Sequence, residues 1–285
     1  MHTRQRMVLY SLTAVVAGAG LLWSFQGQTG EWTLGPSENA GKVRFSLQGS
    51  SGEQHHFNTS SDWNKADFQG IDWSAAGKHD VHFTIHRDAG NLTGEGFLKD
   101  GQGAGVFQFN PNAQYRSEMA SLGFSGITSE EQLAFSIHDV SLKFARDMKA
   151  AGVNGLDASK LMAFRIFHVD DTFIHQLRSA GLKAVDADKL IAFRIHGVTP
   201  EFVQSLKGFG YTPDGDKLIA FRIHGVSTEF IQQLQGLGYR HPEADQLIAM
   251  RIHGVTPEYI QNLRSHGMKE LTVNQLVSLR IHGIN

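Results

Sequence analysis

The sequence predicts an α+β protein: an N-terminal membrane helix, a small antiparallel β domain, then an α-solenoid of short helix pairs. Three observations carry that expectation. An almost unbroken apolar run lies near the start, period-2 alternation dominates the stretch after it, and a phrase of about 29 residues recurs through the remainder. The corresponding divisions are 1–30, 31–111 and 112–285.

Composition bounds what such a chain can do. Its 285 residues, 41% of them hydrophobic, suffice for one large or two moderate domains with ordinary cores. Lys and Arg total 26 against 28 for Asp and Glu, so nothing in the net charge attracts nucleic acid. Cysteine is absent, which excludes disulfides, thiolate zinc sites and cysteine nucleophiles.

The apolar run is "MVLYSLTAVVAGAGLLWSF", Met7 to Phe25, preceded by His2, Arg4 and Arg6. As a helix it spans roughly 28 Å, close to the thickness of a bilayer core. It is either a signal peptide or an anchor. Cleavage after Ala17-Gly18-Ala19 leaves "GLLWSF" as an apolar mature terminus, which favours an uncleaved anchor. Basic residues ahead of the span keep that end cytoplasmic and place the chain from about Glu31 onward outside the cytoplasm.

The β-rich stretch runs from about Lys42 to Phe109. In "VHFTIHR", Val81, Phe83 and Ile85 share one face while His82, Thr84 and His86 share the other. "KVRFSLQ" alternates likewise. In "NLTGEGFLKDGQGAGVFQFN", Asp100-Gly101 supplies the positive φ angles of a two-residue turn. Pairing outward from it sets Gly94 opposite Phe107 and Gly96 opposite Gly105, so five or six strands with rings over bare backbone are expected. His82 and His86 share a strand face, with His55, His56 and His79 close in sequence. A zinc site would need those strands to converge, and nothing in the spacing fixes a tetrahedral set, so a solvated polar face is the plainer reading and no metal is assigned.

Glycine alone reveals the repeat. Gly123, Gly152, Gly181, Gly210, Gly238 and Gly267 keep a spacing of 29 with one step of 28. Each unit reads as two short helices. Helix A starts at a capping side chain, Asp157, Asp186, Asp214 or Thr272, and Thr128 with Glu131 forms a capping box. In "AFRIHGVTPEF", Gly197 ends helix A in a left-handed conformation and Val198 covers Phe193. Thr199 then caps helix B with Pro200 in its first position, and helix B stops at Gly210 with Tyr211 folded over Leu206. Helices of about ten residues are marginal alone, so the units must stack.

Two polar positions recur with the fold and form a candidate interaction ridge. Arg165, Arg194, Arg222, Arg251 and Arg280 occupy one position of helix A. His138, His196, His224, His253 and His282 mark its end, with Phe167 in the one missing place. Structurally, an arginine there complements the negative helix end and pairs with Asp188, Asp216 or Glu201, while the histidine ring bonds a free carbonyl. Functionally, the same row is an anion-binding ridge. Basic and acidic residues number 17 each from Ser125 to Asn285, which favours the structural role. Catalysis finds no support: the chain has no His-Glu-x-x-His helix, no Gly-x-Ser-x-Gly elbow, no P-loop and no dinucleotide fingerprint, so neither enzyme activity nor a cofactor is expected.

"GEGFLKDGQGAGVFQFNPN", "EEQLAFSIHDVSLKF" and "HGVTPEYIQNLRSHGM" together resemble the extracytoplasmic C-terminal region of some bacterial membrane-bound regulatory zinc peptidases of the β-lactam-sensor type, and related stand-alone anchored proteins. The likeness covers most of the chain after about Glu31. The peptidase portion with its zinc-binding helix is missing from this sequence, so proteolysis does not carry over. The resemblance implies an envelope protein linked to sensing or regulation. The expectation is therefore a scaffold of the bacterial inner membrane, with a single N-terminal span and a periplasmic body that binds a protein partner. The alternative is a sensor of a cell-wall fragment or small molecule that signals to a membrane partner.

Overall fold

The computed structural model describes residues 28–51, 55–182 and 185–284. The expected membrane helix lies outside them, and among the described residues no helix is long and apolar enough to cross a membrane. The chain is α+β: six antiparallel strands are followed by twelve helices of nine or ten residues.

The strands are β1 (Gln28–Pro36), β2 (Lys42–Ser51), β3 (His55–Asn64), β4 (Lys78–Arg87), β5 (Gly90–Lys99) and β6 (Gln102–Pro111), in sheet order β3-β2-β1-β6-β5-β4. The β-rich stretch thus begins at Gln28 rather than near Lys42. Only Trp32 and Leu34 of β1 are buried, among glycines and polar residues that mask the alternation. The β5–β6 hairpin turns at Asp100 (φ 52°) and Gly101 (φ 76°), with Gly94 paired to Phe107 and Gly96 to Gly105.

Aromatic contacts show that this sheet is strongly curled. Trp32 on β1 and Phe83 on β4 are three strand positions apart, about 14 Å in a flat sheet. Their ring centroids are nevertheless 5.3 Å apart. Phe45 on β2 also reaches Phe83, at 6.0 Å. Glycine permits the bend. A Cβ on Gly94 would sit 2.3 Å from the Phe83 ring, and one on Gly96 only 2.7 Å from the Gly105 Cα. Phe68, from the loop after β3, plugs the hollow with its ring 5.0 Å from Phe45 and 5.3 Å from Phe83.

The helices alternate as B and A members: α1 (Ala113–Ser121), α2 (Ser129–Ile137), α3 (Leu142–Ala150), α4 (Ala158–Ile166), α5 (Asp171–Ser179), α6 (Ala187–His196), α7 (Pro200–Gly208), α8 (Gly215–His224), α9 (Thr228–Gly236), α10 (Ala244–Ile252), α11 (Pro257–Ser265) and α12 (Val273–Ile281). The predicted caps are in place. Asp157, Asp186, Asp214 and Thr272 each accept a bond from the backbone three residues on, and Thr128 with Glu131 closes a capping box. Like packs on like: α4, α6, α8, α10 and α12 lie side by side, as do α5 with α7 and α9 with α11. One continuous core runs from Tyr115 to Leu276, and each buried Leu or Phe in it contributes about 1.5–3 kcal/mol. Tyrosines stitch units across their boundaries: the Tyr211, Tyr239 and Tyr259 hydroxyls donate to the carbonyls of Pro242, Leu271 and Ile284.

Sheet and repeats meet at α2. Leu133 and Ile137 pack on the aromatic core of the sheet. Gln132, fully buried, stands where later units have leucine, and its amide donates to the carbonyls of Ala89 (2.7 Å) and Asn112 (2.8 Å). Asp88 accepts from the Leu142 backbone N–H at 2.8 Å, and Arg87 lies 3.5 Å from Asp139.

Candidate interaction surface

The surface is built at the last turn of helix A. Every copy closes on a residue in the left-handed region: Asp139 (φ 51°), His168 (57°), Gly197 (69°), Gly225 (71°), Gly254 (69°) and Gly283 (73°). In the third copy the Val198 N–H donates to the Phe193 carbonyl at 2.8 Å and the Gly197 N–H to that of Arg194, the double closure that lets the chain turn directly into helix B. Asp139 and His168 show that the first two units accept a side chain at this position.

The arginine ladder belongs to the joints between units. Each guanidinium lies over the aromatic ring that opens the preceding helix B: Arg165 over Phe144 (5.2 Å), Arg194 over Phe173 (3.7 Å), Arg222 over Phe202 (4.9 Å), Arg251 over Phe230 (5.0 Å) and Arg280 over Tyr259 (4.4 Å). Three of them also reach back to carbonyls at the preceding helix end. Arg165 Nε donates to His138, Arg251 Nε to His224 and Arg280 Nε to Gly254, at 3.0, 3.3 and 3.0 Å. The positive group therefore complements the negative end of the neighbouring helix.

The expected acidic partners are reassigned. Asp188 pairs with Lys160 and Asp216 with Lys189, each one unit back, and Asp245 pairs with Lys217 in the same way. Gln246 and Asn274 continue this row at 3.2 Å without charge. The Glu201 carboxylate bonds its own backbone N–H and the Thr199 hydroxyl, contacts that hold it below the usual carboxylate range. Glu229 and Glu258 repeat the arrangement with Ser227 and Thr256. The acid that does meet the ladder is Asp139, 3.0 Å from Arg165.

The histidines divide by environment. His196, His253 and His282 are exposed, while His138 and His224 are half-buried. Burial, and then the neighbouring Arg165 guanidinium, holds the His138 imidazole below the ordinary histidine value. The ring-to-carbonyl contact expected at the helix end is present at His282, whose Nδ1 lies 2.8 Å from the Ser278 oxygen.

Between arginine and histidine lies a row that the sequence reading passed over. Ile166, Ile195, Ile223, Ile252 and Ile281 are 44%, 54%, 55%, 53% and 57% exposed. Each follows the clamped arginine and precedes the closing histidine. The residue one turn earlier, Met162, Ile191, Ile219, Ile248 or Val277, is half-buried against the core, so every helix A presents an apolar pair to the outside. The signal was the repeated "R-I-H" itself. Read as part of an amphipathic helix, its isoleucine blends with the core residues, and only the stacked arrangement shows it facing out.

The outer face of the sheet carries a trough of about 930 Å³ across β1, β6, β5 and β4. One wall is the row Glu31, Val106, Glu95 and His82, the other Thr29, Gln108, Thr93 and Thr84. His82 lies 3.7 Å from Glu95, and His86 faces the Asn91 side-chain oxygen at 2.9 Å. Among the described residues no group of three or more His, Cys, Asp or Glu is placed to hold a metal. Comparison of the chain with models of protein families, with curated proteins and with solved structures finds no match.

Proposed function

We propose that the protein is an interaction scaffold of the bacterial envelope, anchored through Met7–Phe25, whose helical solenoid binds a protein partner outside the cytoplasm. The observation that carries this reading is the isoleucine row. A stretch of half-exposed large apolar residues repeated at one position of five stacked helices is typical of a contact surface, since isolated surface apolar residues do not align. The arginines and histidines beside it supply the polar rim, and the arginines are held in place by their ring and carbonyl contacts. The anchor and the extracytoplasmic placement rest on the basic-then-apolar N-terminus and on the resemblance of the repeats to the sensor-type peptidase region.

A pull-down from solubilised membranes tests the proposal. The full chain should retain a partner that the Ile195→Asp/Ile223→Asp/Ile252→Asp variant loses. Retention of the same proteins by both would overturn it. A second reading, a sensor of a small molecule or cell-wall fragment, draws on the trough between the Glu31 and Thr29 rows. Saturable binding of muropeptides, abolished by Glu95→Gln with Thr93→Val, would favour that reading.

A further inference from the structure

The isoleucine row has a pitch, and the pitch selects its occupant. Neighbouring packed helices lie about 8–10 Å apart, so the row offers one apolar rung at about that interval. A strand laid across it brings same-face residues to steps of about 6.8 or 13.5 Å, matching neither rung nor gap. A helix brings every seventh residue to the same face after about 10.5 Å, close to one rung per heptad. Five rungs, Ile166 to Ile281, correspond to about four heptads.

Charge beside the row narrows the chemistry. On one side stand Arg165, Arg194, Arg222, Arg251 and Arg280 with the exposed His196, His253 and His282. The carboxylates that follow, Glu201, Glu229 and Glu258, are folded back on the starts of their own helices. On the helix-start side, Lys160, Lys189 and Lys217 are neutralised by Asp188, Asp216 and Asp245. The margin open to a partner is therefore basic. The same apolar position also shows what it accepts: in the first copy, Ile137 with Leu133 is covered by the apolar core of the sheet.

We infer that the row Ile166–Ile195–Ile223–Ile252–Ile281 is the dock for an amphipathic helix of a partner protein, with an apolar heptad seam flanked by acidic residues and lying across the stacked A helices. This deepens the scaffold reading and rests on it.

The test uses the full chain in detergent micelles and a labelled synthetic peptide of four heptads with Leu in the seam and Glu beside it. Fluorescence anisotropy should show saturable binding, weakened at least tenfold by Ile195→Asp/Ile223→Asp, a variant whose melting curve is unchanged. The same seam flanked by Lys should bind at least tenfold more weakly, and a scrambled peptide without a common apolar face should not bind. Equal binding by the variant, equal binding of the Lys peptide, or equal binding of an extended alternating peptide overturns the inference. Isoleucine-dependent self-association in sedimentation would likewise overturn it, naming a second copy as the occupant. If the Glu peptide fails while the membrane pull-down still yields an isoleucine-dependent partner, the helical occupant is wrong and the scaffold reading stands. If both fail, both are wrong.

Discussion

Helices α2 and α6 hold the same place in the repeat but have different neighbours, and their residues differ accordingly. Beside α6 lies another helix A, and the sequence there is Leu190, Ile191, Arg194, Ile195 and Gly197. Beside α2 lies the sheet, and the matching residues are Gln132, Leu133, Ser136, Ile137 and Asp139. The leucine becomes an amide that bonds two carbonyls of the sheet junction. The arginine becomes a buried serine, because no preceding helix A offers an end to clamp. Glycine becomes an aspartate between Arg87 of the sheet and Arg165 of the next unit. Only the isoleucine is unchanged, covered in α2 and open in α6.

Exchanging these residues breaks the comparison most sharply. Leu190→Gln places an amide at a site with apolar neighbours and no free carbonyl, and we expect a loss of about 4 kcal/mol in urea denaturation. Gln132→Leu, which restores the repeat's own residue, should still cost about 2 kcal/mol, because two junction carbonyls lose a donor. A stabilised Gln132→Leu protein would mean that α2 is an ordinary repeat merely adjacent to a sheet.

Much of this was legible in the sequence because the punctuation is local. Caps such as Asp186 and Thr199, the closing Gly197 and the Asp100-Gly101 turn act within a few residues of themselves, so their roles can be read without knowing the neighbours. The curl of the sheet was less visible, since Trp32, Phe45, Phe68 and Phe83 meet across four elements. The partners of Asp188 and Asp216 and the exposure of Ile195 were hidden for the same reason. They depend on how one unit lies on the next, and neither spacing nor charge within a unit encodes that.

The clamp comes next in expected effect. Arg251→Ala removes a hydrogen bond to His224 and the stacking on Phe230, for a loss of about 1–2 kcal/mol. Arg251→Lys should recover only part of it, lacking the planar fork. Gly225→Ala acts on the same joint from the other side: its Cβ would sit 3.0 Å from an Arg251 nitrogen on a residue with φ 71°, and a melt should report about 1 kcal/mol.

Acid separates the copies more gently. His138 is held below the ordinary histidine value, so on acidification the unfolded chain takes up its proton first. The stabilisation is complete above the ordinary value, falls as pH drops through it, and levels off once folded His138 is also protonated. NMR titration should place the His138 midpoint below that of a histidine in the unfolded chain, and His138→Asn should remove this part of the acid slope. A His138 midpoint at the ordinary value would show that its burial beside Arg165 does not persist in solution.

The smallest expected effect on stability falls on the isoleucine row and is the most informative about function. Ile223 is 55% exposed in the free chain, so Ile223→Asp should leave the melting curve within about 0.5 kcal/mol of wild type. The same change at Ile137 drives a carboxylate against the apolar core of the sheet and must cost more. If Ile223→Asp proves as costly as Ile137→Asp, the row is covered within the folded chain itself and is no dock. If Ile223 is silent in the melt yet required for partner retention, one position serves packing where the sheet lies against it and recognition where nothing in the chain does.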